Sequence, residues 1–409
     1  MLKMCYTNVT NIIRILKGED MKQRLFSILL SFIIIFSVNP AAVYAAAEAS
    51  AEEPAVTEVL SAESIPSERT LDSEYLTGEF KEAYPVAETG NSYDEFDDYT
   101  DEYPSFTKVS LVLGGQIGVN FFVKLPYIED ADYNESRVEF KIGDETEPSV
   151  VVPINPEEKS ANGLFYKFTC PISSIEMGDT ITAAYCYKQN GEDCFSEITY
   201  SAQQYLTDYM KRVTESEEPD GQPLITNVVK SLADYGYYAQ QYLSALRGWT
   251  IGEDGDHAAM AAPYTASYSY DEILEDIGET KASVKCSEDI TEITSSLVLD
   301  SNTELVVYFK PADGYDGPIE IFVEDQRIEQ PEQLPDGRCR IYITNIGASR
   351  LSSSSYTITA KTAGGEATAV VDVFSYLAAL LKANKDDSRV INLVGSMVAY
   401  ARAAEAYVS

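Results

Sequence analysis

Histidine and tryptophan are almost missing from this chain: His257 and Trp249 are the single examples in 409 residues. Serine and cysteine triads need a histidine base beside the nucleophile. His257 stands instead among Gly252, Gly255 and Pro263, and reads as a loop residue of a connecting segment. Zinc or iron sites built on several histidines are excluded by count. No glycine loop of the P-loop or dinucleotide type precedes a helix. Positive charge is also scarce, with 30 Lys and Arg against 66 Asp and Glu and a formal net charge of −36. Such a surface repels phosphate backbones and anionic lipid, so neither nucleic acid nor a membrane surface is an expected partner. No metal or cofactor is expected.

Cysteines number six. Cys5 lies in the leader, and the remaining Cys170, Cys186, Cys194, Cys286 and Cys339 form an odd set, which is no disulfide framework. One pair is a candidate disulfide, Cys186 with Cys194, which flank Gln189-Asn190-Gly191. A three-residue loop there sets the two cysteines opposite each other. A two-residue Asn190-Gly191 turn sets Cys194 against Tyr187 and strains the bond.

Long apolar runs are absent except for Leu25–Val38. It follows the basic head Met21-Lys22-Gln23-Arg24 and precedes the small residues around Val43-Tyr44-Ala45, the pattern of an export signal cleaved between Ala45 and Ala46. The run is short of the roughly 20 residues of a bilayer span. Residues 1–20 place a second Met and a polar stretch ahead of a complete signal. Lys17-Gly18-Glu19 is encodable by a purine run of the ribosome-binding kind, which predicts that translation starts at Met21. The leader 1–45 carries five positive and two negative residues, so its removal takes the net charge from −36 to −39.

Residues 46–105 hold 17 acidic residues against Arg69 and Lys81, broken by Pro54, Pro66, Pro85 and Pro104. Apolar residues there follow no period, which predicts a disordered acidic tether. The acid and aromatic alternation of Tyr93–Tyr103 lacks the glycine and spaced ligands of a calcium loop.

Beyond the tether the chain repeats itself. Ser110-Leu111-Val112-Leu113 recurs as Ser296-Leu297-Val298-Leu299, and Thr180-Ile181-Thr182-Ala183 as Thr357-Ile358-Thr359-Ala360. Tyr205-Leu206 recurs as Tyr376-Leu377, and Ala239, Tyr242, Leu243 as Ala404, Tyr407, Val408. The order is kept, which marks a tandem duplication. In the first copy, short β-branched and aromatic segments bounded by turns predict seven strands: Lys108–Leu113, Gly118–Lys124, Arg137–Ile142, Ser149–Ile154, Phe165–Thr169, Thr180–Lys188 and Phe195–Tyr200. Tyr205, Leu206, Tyr209, Met210 and Val213, then Ile225, Val228, Val229, Leu232, Gly236 and Ala239, follow helical spacing. The expected fold class is mainly β with α: two tandem modules, each an immunoglobulin-like antiparallel β-sandwich followed by a two-helix hairpin. The boundaries are 106–244 (sandwich 106–201, helical hairpin 202–244), a linker 245–292, and 293–409 (sandwich 293–373, helical hairpin 374–409). At about 140 residues the first module is long enough for its own core, and residues 104–244 are expected to fold alone.

Tyr205, Tyr235, Tyr376 and Tyr400 recur at helical spacing and read as core. Tyr166, Tyr185, Tyr187, Tyr237 and Tyr238 are not clearly repeated, and these are the candidates for an exposed aromatic surface. Gly236, matched by Ala401, predicts a close helix approach. Paired carboxylates are the one enzymatic route left, since glycoside hydrolysis needs two about 5–10 Å apart. No acidic pair is shared by the copies, so no catalytic residue is assigned.

Ser110-Leu111-Val112-Leu113-Gly114-Gly115-Gln116-Ile117-Gly118-Val119-Asn120-Phe121-Phe122-Val123 resembles a signature of uncharacterised secreted proteins of gut-dwelling Gram-positive anaerobes. Ile175-Glu176-Met177-Gly178-Asp179-Thr180-Ile181 resembles the second motif of that module. Ser231-Leu232-Ala233-Asp234-Tyr235-Gly236-Tyr237-Tyr238-Ala239-Gln240 resembles its helical third. The second copy departs from it, with Asp300-Ser301 in place of the glycines and Arg350-Leu351-Ser352 in place of the second motif. The resemblance implies an exported, multi-modular extracellular or cell-surface protein, and carries no catalytic residues. The expected function is therefore a secreted, non-enzymatic structural or binding protein whose partner is a glycan or a protein. The alternative is a carboxylate-based polysaccharide hydrolase.

Overall fold

The computed structural model describes residues 103–113, 115–126, 131–159, 165–215, 223–299 and 303–409. The expected leader with Ala45 and Ala46, nearly all of the expected acidic tether and Gly114 lie outside the described residues. The described residues are mixed α and β, with antiparallel sheets and five α-helices, and strands predominate among them.

The first half carries β1 (Ser105–Leu111), β2 (Gly118–Lys124), β3 (Ala131–Ile142), β4 (Val150–Pro153), β5 (Phe165–Pro171), β6 (Ile181–Gln189) and β7 (Glu192–Tyr200). These are the seven expected strands, with β3 and β7 longer than their apolar patterns suggest. They form two sheets, ordered β1-β2-β5 and β4-β3-β6-β7. The sheets face each other across aromatic side chains. Phe121 of β2 meets Phe140 of β3 at 5.4 Å between ring centroids, and Phe168 of β5 meets Tyr185 of β6 at 5.8 Å. Helix α1 (Ala202–Glu215) follows, its Gln204 N–H capped by the Ser201 hydroxyl, and then α2 (Pro223–Arg247), which opens on a proline where no N–H is needed.

The connecting segment holds α3 (Tyr270–Ile277) and β8 (Ser283–Lys285). The second half runs through β9 (Ile290–Leu299), β10 (Thr303–Pro311), β11 (Glu320–Val323), β12 (Gln326–Arg327), β13 (Glu332–Gln333), β14 (Cys339–Ile346), β15 (Ser355–Thr362) and β16 (Gly365–Asp372). Helices α4 (Val373–Ala383) and α5 (Ser388–Val408) close the chain, capped by Asp372 and Asp387. The sheets are ordered β13-β14-β10-β9 and β12-β11-β15-β16-β8. Laid over the repeated sequence, β9-β10-β14 matches β1-β2-β5, and β11-β15-β16 matches β3-β6-β7. The strand order is the same in both halves.

The helices depart from the expected pairing. Helix α2 packs most extensively on α5 of the other half, and less on its own neighbour α1. The two long helices are antiparallel. Tyr235 stacks on its own repeat partner Tyr400, with centroids 6.0 Å apart and planes at 16°, while Tyr242 near the end of α2 lies by Asp387 and Arg389 at the start of α5. Equivalent residues meeting across an antiparallel pair is the geometry of a two-fold dimer, here within one chain. The face of α2 that carries Tyr235 is therefore covered by α5, and a fragment ending at residue 244 would expose it.

Candidate functional site

The buried polar residues of the first half converge on the connecting segment. Asp179 ends the 3-10 turn Glu176–Gly178, and its carboxylate accepts from the His257 imidazole at 2.7 Å and from the Ala258 N–H at 2.6 Å. Asp179 is 5% exposed and His257 16%. Burial works against the charged imidazole, but the hydrogen bond and charge of Asp179, helped by Glu176 and Asp256, outweigh it, so His257 titrates above its ordinary value. The ring also lies edge-on to Trp249 at 5.0 Å. His257 is a residue of the connecting segment, as expected, but it is not idle there. It is a latch, formed with a partner 78 positions away.

Helix α2 supplies the rest of the clasp. The Gln240 amide donates to Ile175 O and Ala258 O and accepts from Met260 N–H, so both its donors and its oxygen are engaged. Asp234 accepts from the N–H groups of Tyr264 and Thr265 and from the Tyr268 hydroxyl. Tyr268 in turn lies against Gly395 of α5, where any Cβ would overlap its ring, and donates its N–H to Asn392. Gly178 has no room for a Cβ beside Ala258 O. Gly236 serves an approach of a different kind from the one its spacing suggests: a Cβ there would meet Met177 Sδ at 2.8 Å and Met260 Cε at 2.9 Å, not a second helix. The residues of the second and third sequence motifs thus fasten the chain between the halves. Their repeat equivalents differ, Ala399 for Asp234 and Glu405 for Gln240; Glu405 accepts instead from the Ser352 hydroxyl of the second half's own turn region.

The candidate binding site lies elsewhere, on the outer face of the sheet β4-β3-β6-β7. The β6–β7 turn is the two-residue one, Asn190 and Gly191, both at positive φ (54° and 80°). This pairs Cys186 with Phe195 and Tyr187 with Cys194. Cys186 and Cys194 then project from opposite faces of the sheet, and both thiols are free. The candidate disulfide is not formed, for the reason the two-residue turn implies. Cys194 turns inward against the core with Tyr187, while Cys186 turns outward, where burial raises its thiol pKa.

Aligned on the repeated Thr-Ile-Thr-Ala, the first hairpin holds nine paired positions from Ile181 to Gln189, against five from Ile358 to Thr362 in the second. The four additional positions on each strand build one wall of a surface groove of about 350 Å³, lined by Cys186, Lys188, Asp193 and Phe195 and, across from them, by Asp132, Glu135, Arg137 and Glu139. Phe195 is 71% exposed. Arg137 is 2.6 Å from Glu139, and Asp132 accepts from the Asn134 backbone and side chain. Of the five candidate surface tyrosines, Tyr187 borders this groove, though it is only 9% exposed, and the other four do not line it. Tyr185, Tyr187 and Tyr238 are buried, with Tyr185 donating to the Ser136 hydroxyl, and Tyr166 and Tyr237 are half-buried. Phe195 was legible only as a strand residue; its exposure depends on the hairpin register. Tyr205, Tyr235, Tyr376 and Tyr400 are buried, in line with their helical spacing.

Among the described residues no cluster of three or more His, Cys, Asp or Glu has a geometry that would hold a metal ion. Likewise no helix is long and apolar enough to cross a membrane. No family model matches the chain, and no curated protein matches it significantly.

Proposed function

We propose that this is an exported, non-enzymatic extracellular or cell-surface protein. It is built from two tandem immunoglobulin-like modules held as one body, and it presents the groove beside Phe195 to a glycan or protein partner. The carrying observation is where the copies differ. What they share is packing, including the strand order and the Tyr235–Tyr400 face. The groove stands on the four-position hairpin extension that the second copy lacks. Residues whose chemistry is otherwise suggestive, Asp179, Asp234, Gln240 and His257, are consumed in fastening residues 257–268 to the first half. The export signal at Ala45 and Ala46 supports the extracellular reading from sequence.

The test is an array of glycans and mucins, together with cross-linking to extracellular proteins, on the chain from Ala46 onward. Binding that falls away in Phe195→Ser supports the reading, and silence in both arms overturns it. The four carboxylates of the groove keep the polysaccharide hydrolase as the second reading. With Glu139 paired to Arg137 and Asp132 engaged by Asn134, a hydrolase would draw on Glu135 and Asp193. New reducing ends released from polysaccharide, and lost in Glu135→Gln, would replace the binding reading by that one.

A further inference from the structure

The two halves share a strand order but finish one sheet differently. In the second half β16 is not the edge, because Ser283–Lys285 adds an antiparallel strand to it at Ser283↔Val370, Val284↔Ala369 and Lys285↔Thr368. In the first half the matching strand β7 ends the sheet, and no described strand pairs with its outer side. A sheet edge presents a row of unpaired N–H and C=O groups, a template for another strand. Proteins blunt such edges with short strands, bulges, proline or charged side chains. Of these strand β7 has charge alone, from Glu192, Asp193 and Glu197, which repels an acidic strand and admits a basic one. The strand is nine residues long, contains no proline and keeps unbroken register with β6 throughout.

We propose that the β7 edge and the groove it borders bind an extended basic segment of a partner protein by strand addition. The proposal rests on the reading of this chain as a binding protein and names the partner's chemistry. Charge selects the occupant. Glu192, Asp193 and Glu197 lie along β7 and are exposed, and Glu135 and Glu139 lie across the groove. The segment that closes the matching edge in the second half carries Lys281 and Lys285. A strand with lysine at alternate positions would set its ammonium groups over Asp193 and Glu197 and lay its lysine stems along Phe195, which shares their face, while its apolar side chains turn to the opposite face. The chain's own residues at the matching distance before the first repeat, Asp97-Asp98-Tyr99, lie outside the described residues and are acidic, the same sign as β7.

The experiment uses the chain from Ala46 onward and a labelled alternating Lys-Val peptide as long as β7, followed by fluorescence anisotropy at near-physiological salt. Two control peptides accompany it: an alternating Glu-Val peptide, and the Lys-Val peptide N-methylated at alternate backbone positions, which keeps its charge but loses the pairing N–H groups. The expected result is saturable one-to-one binding of the Lys-Val peptide only. It should weaken by about tenfold or more in Phe195→Ser and in Asp193→Lys. Both positions are exposed, so neither change threatens the fold. Equal binding of the N-methylated peptide would reduce the effect to attraction by an acidic surface and overturn the proposal. Binding that appears only when Phe96 and Tyr99 are changed to serine would assign the edge to the chain's own segment, with the same consequence. Glycan binding without peptide binding would sink strand addition and leave the binding reading standing, whereas silence in all assays would remove both.

Discussion

Replacing Asp234 by alanine tests whether the segment between the halves is held by the clasp. Asp234 is 1% exposed and accepts three hydrogen bonds, from Tyr264 N–H, from Thr265 N–H and from the Tyr268 hydroxyl, the last two at 3.1 Å. Hydrogen bonds to a charged group contribute about 1.5–3 kcal/mol each, and a buried donor left without its acceptor costs about 1–3 kcal/mol. Tyr264 is 49% exposed, so water can reach part of the site and recover part of the loss. The expected cost of Asp234→Ala is then about 3–5 kcal/mol. Asp234→Asn keeps one acceptor but turns an amide N–H₂ toward a donor, and should cost about 1–3 kcal/mol. Urea unfolding gives the change as a lower midpoint at unaltered slope. Hydrogen exchange then locates it, because the amides of Tyr264 and Thr265 should lose protection first. The repeat supplies a control: the equivalent position in α5 is Ala399, which accepts no hydrogen bonds through its side chain, and Ala399→Asp should add no stability. A cost below about 1 kcal/mol for Asp234→Ala, with both amides still slow to exchange, would refute the reasoning.

Other consequences are equally direct. Gly178→Ala puts a Cβ into Ala258 O, and a cost of about 1–3 kcal/mol in thermal unfolding is expected. His257 has a raised pKa from its Asp179 bond, so the charged latch adds stability that is complete below the unfolded value of about 6.5 and is lost as pH rises through the folded value. Stability curves of the wild type and His257→Gln should therefore differ on the acid side and converge on the alkaline side, and parallel curves would refute the ion pair. Burial pushes the Cys339 thiol up to about 11 and the Cys170 thiol higher still. An alkylating reagent should reach Cys286 and Cys186 in the folded chain and those two only on unfolding, and reductant should leave the intact mass unchanged. A double-mutant cycle on Tyr235→Leu and Tyr400→Leu should return a coupling of about 0.5–1.5 kcal/mol from the stacked rings, and strict additivity would remove the contact between the halves.

How much of this was legible beforehand varies with the range of the interaction. The seven strands of the first half and the four long helices follow from local periodicity, which the chain writes residue by residue. The sequence of the hairpin is compatible with two turn types. Backbone geometry decided between them, because Asn190 and Gly191 both take positive φ. The role of His257 was invisible because its partner lies far along the chain in a different motif. The resemblance drew attention to Gly178, Asp179, Asp234, Gly236 and Gln240 as motif residues without any indication of what they touch. Each of them meets the segment 257–268, which carries no motif of its own.

The sequence by itself determined the acidic character, the candidate export signal and the duplication, together with the periodic elements inside each copy, because all of these are properties of neighbours or of composition. Only the tertiary structure decided that α2 and α5 pack on each other through equivalent tyrosines. It also decided that the connecting segment is locked down and that β7 ends its sheet with Phe195 uncovered. Those outcomes depend on which buried acceptor meets which distant donor and on which sheet edge finds a strand to cover it. They are settled by long-range packing, and the local pattern carries no record of them.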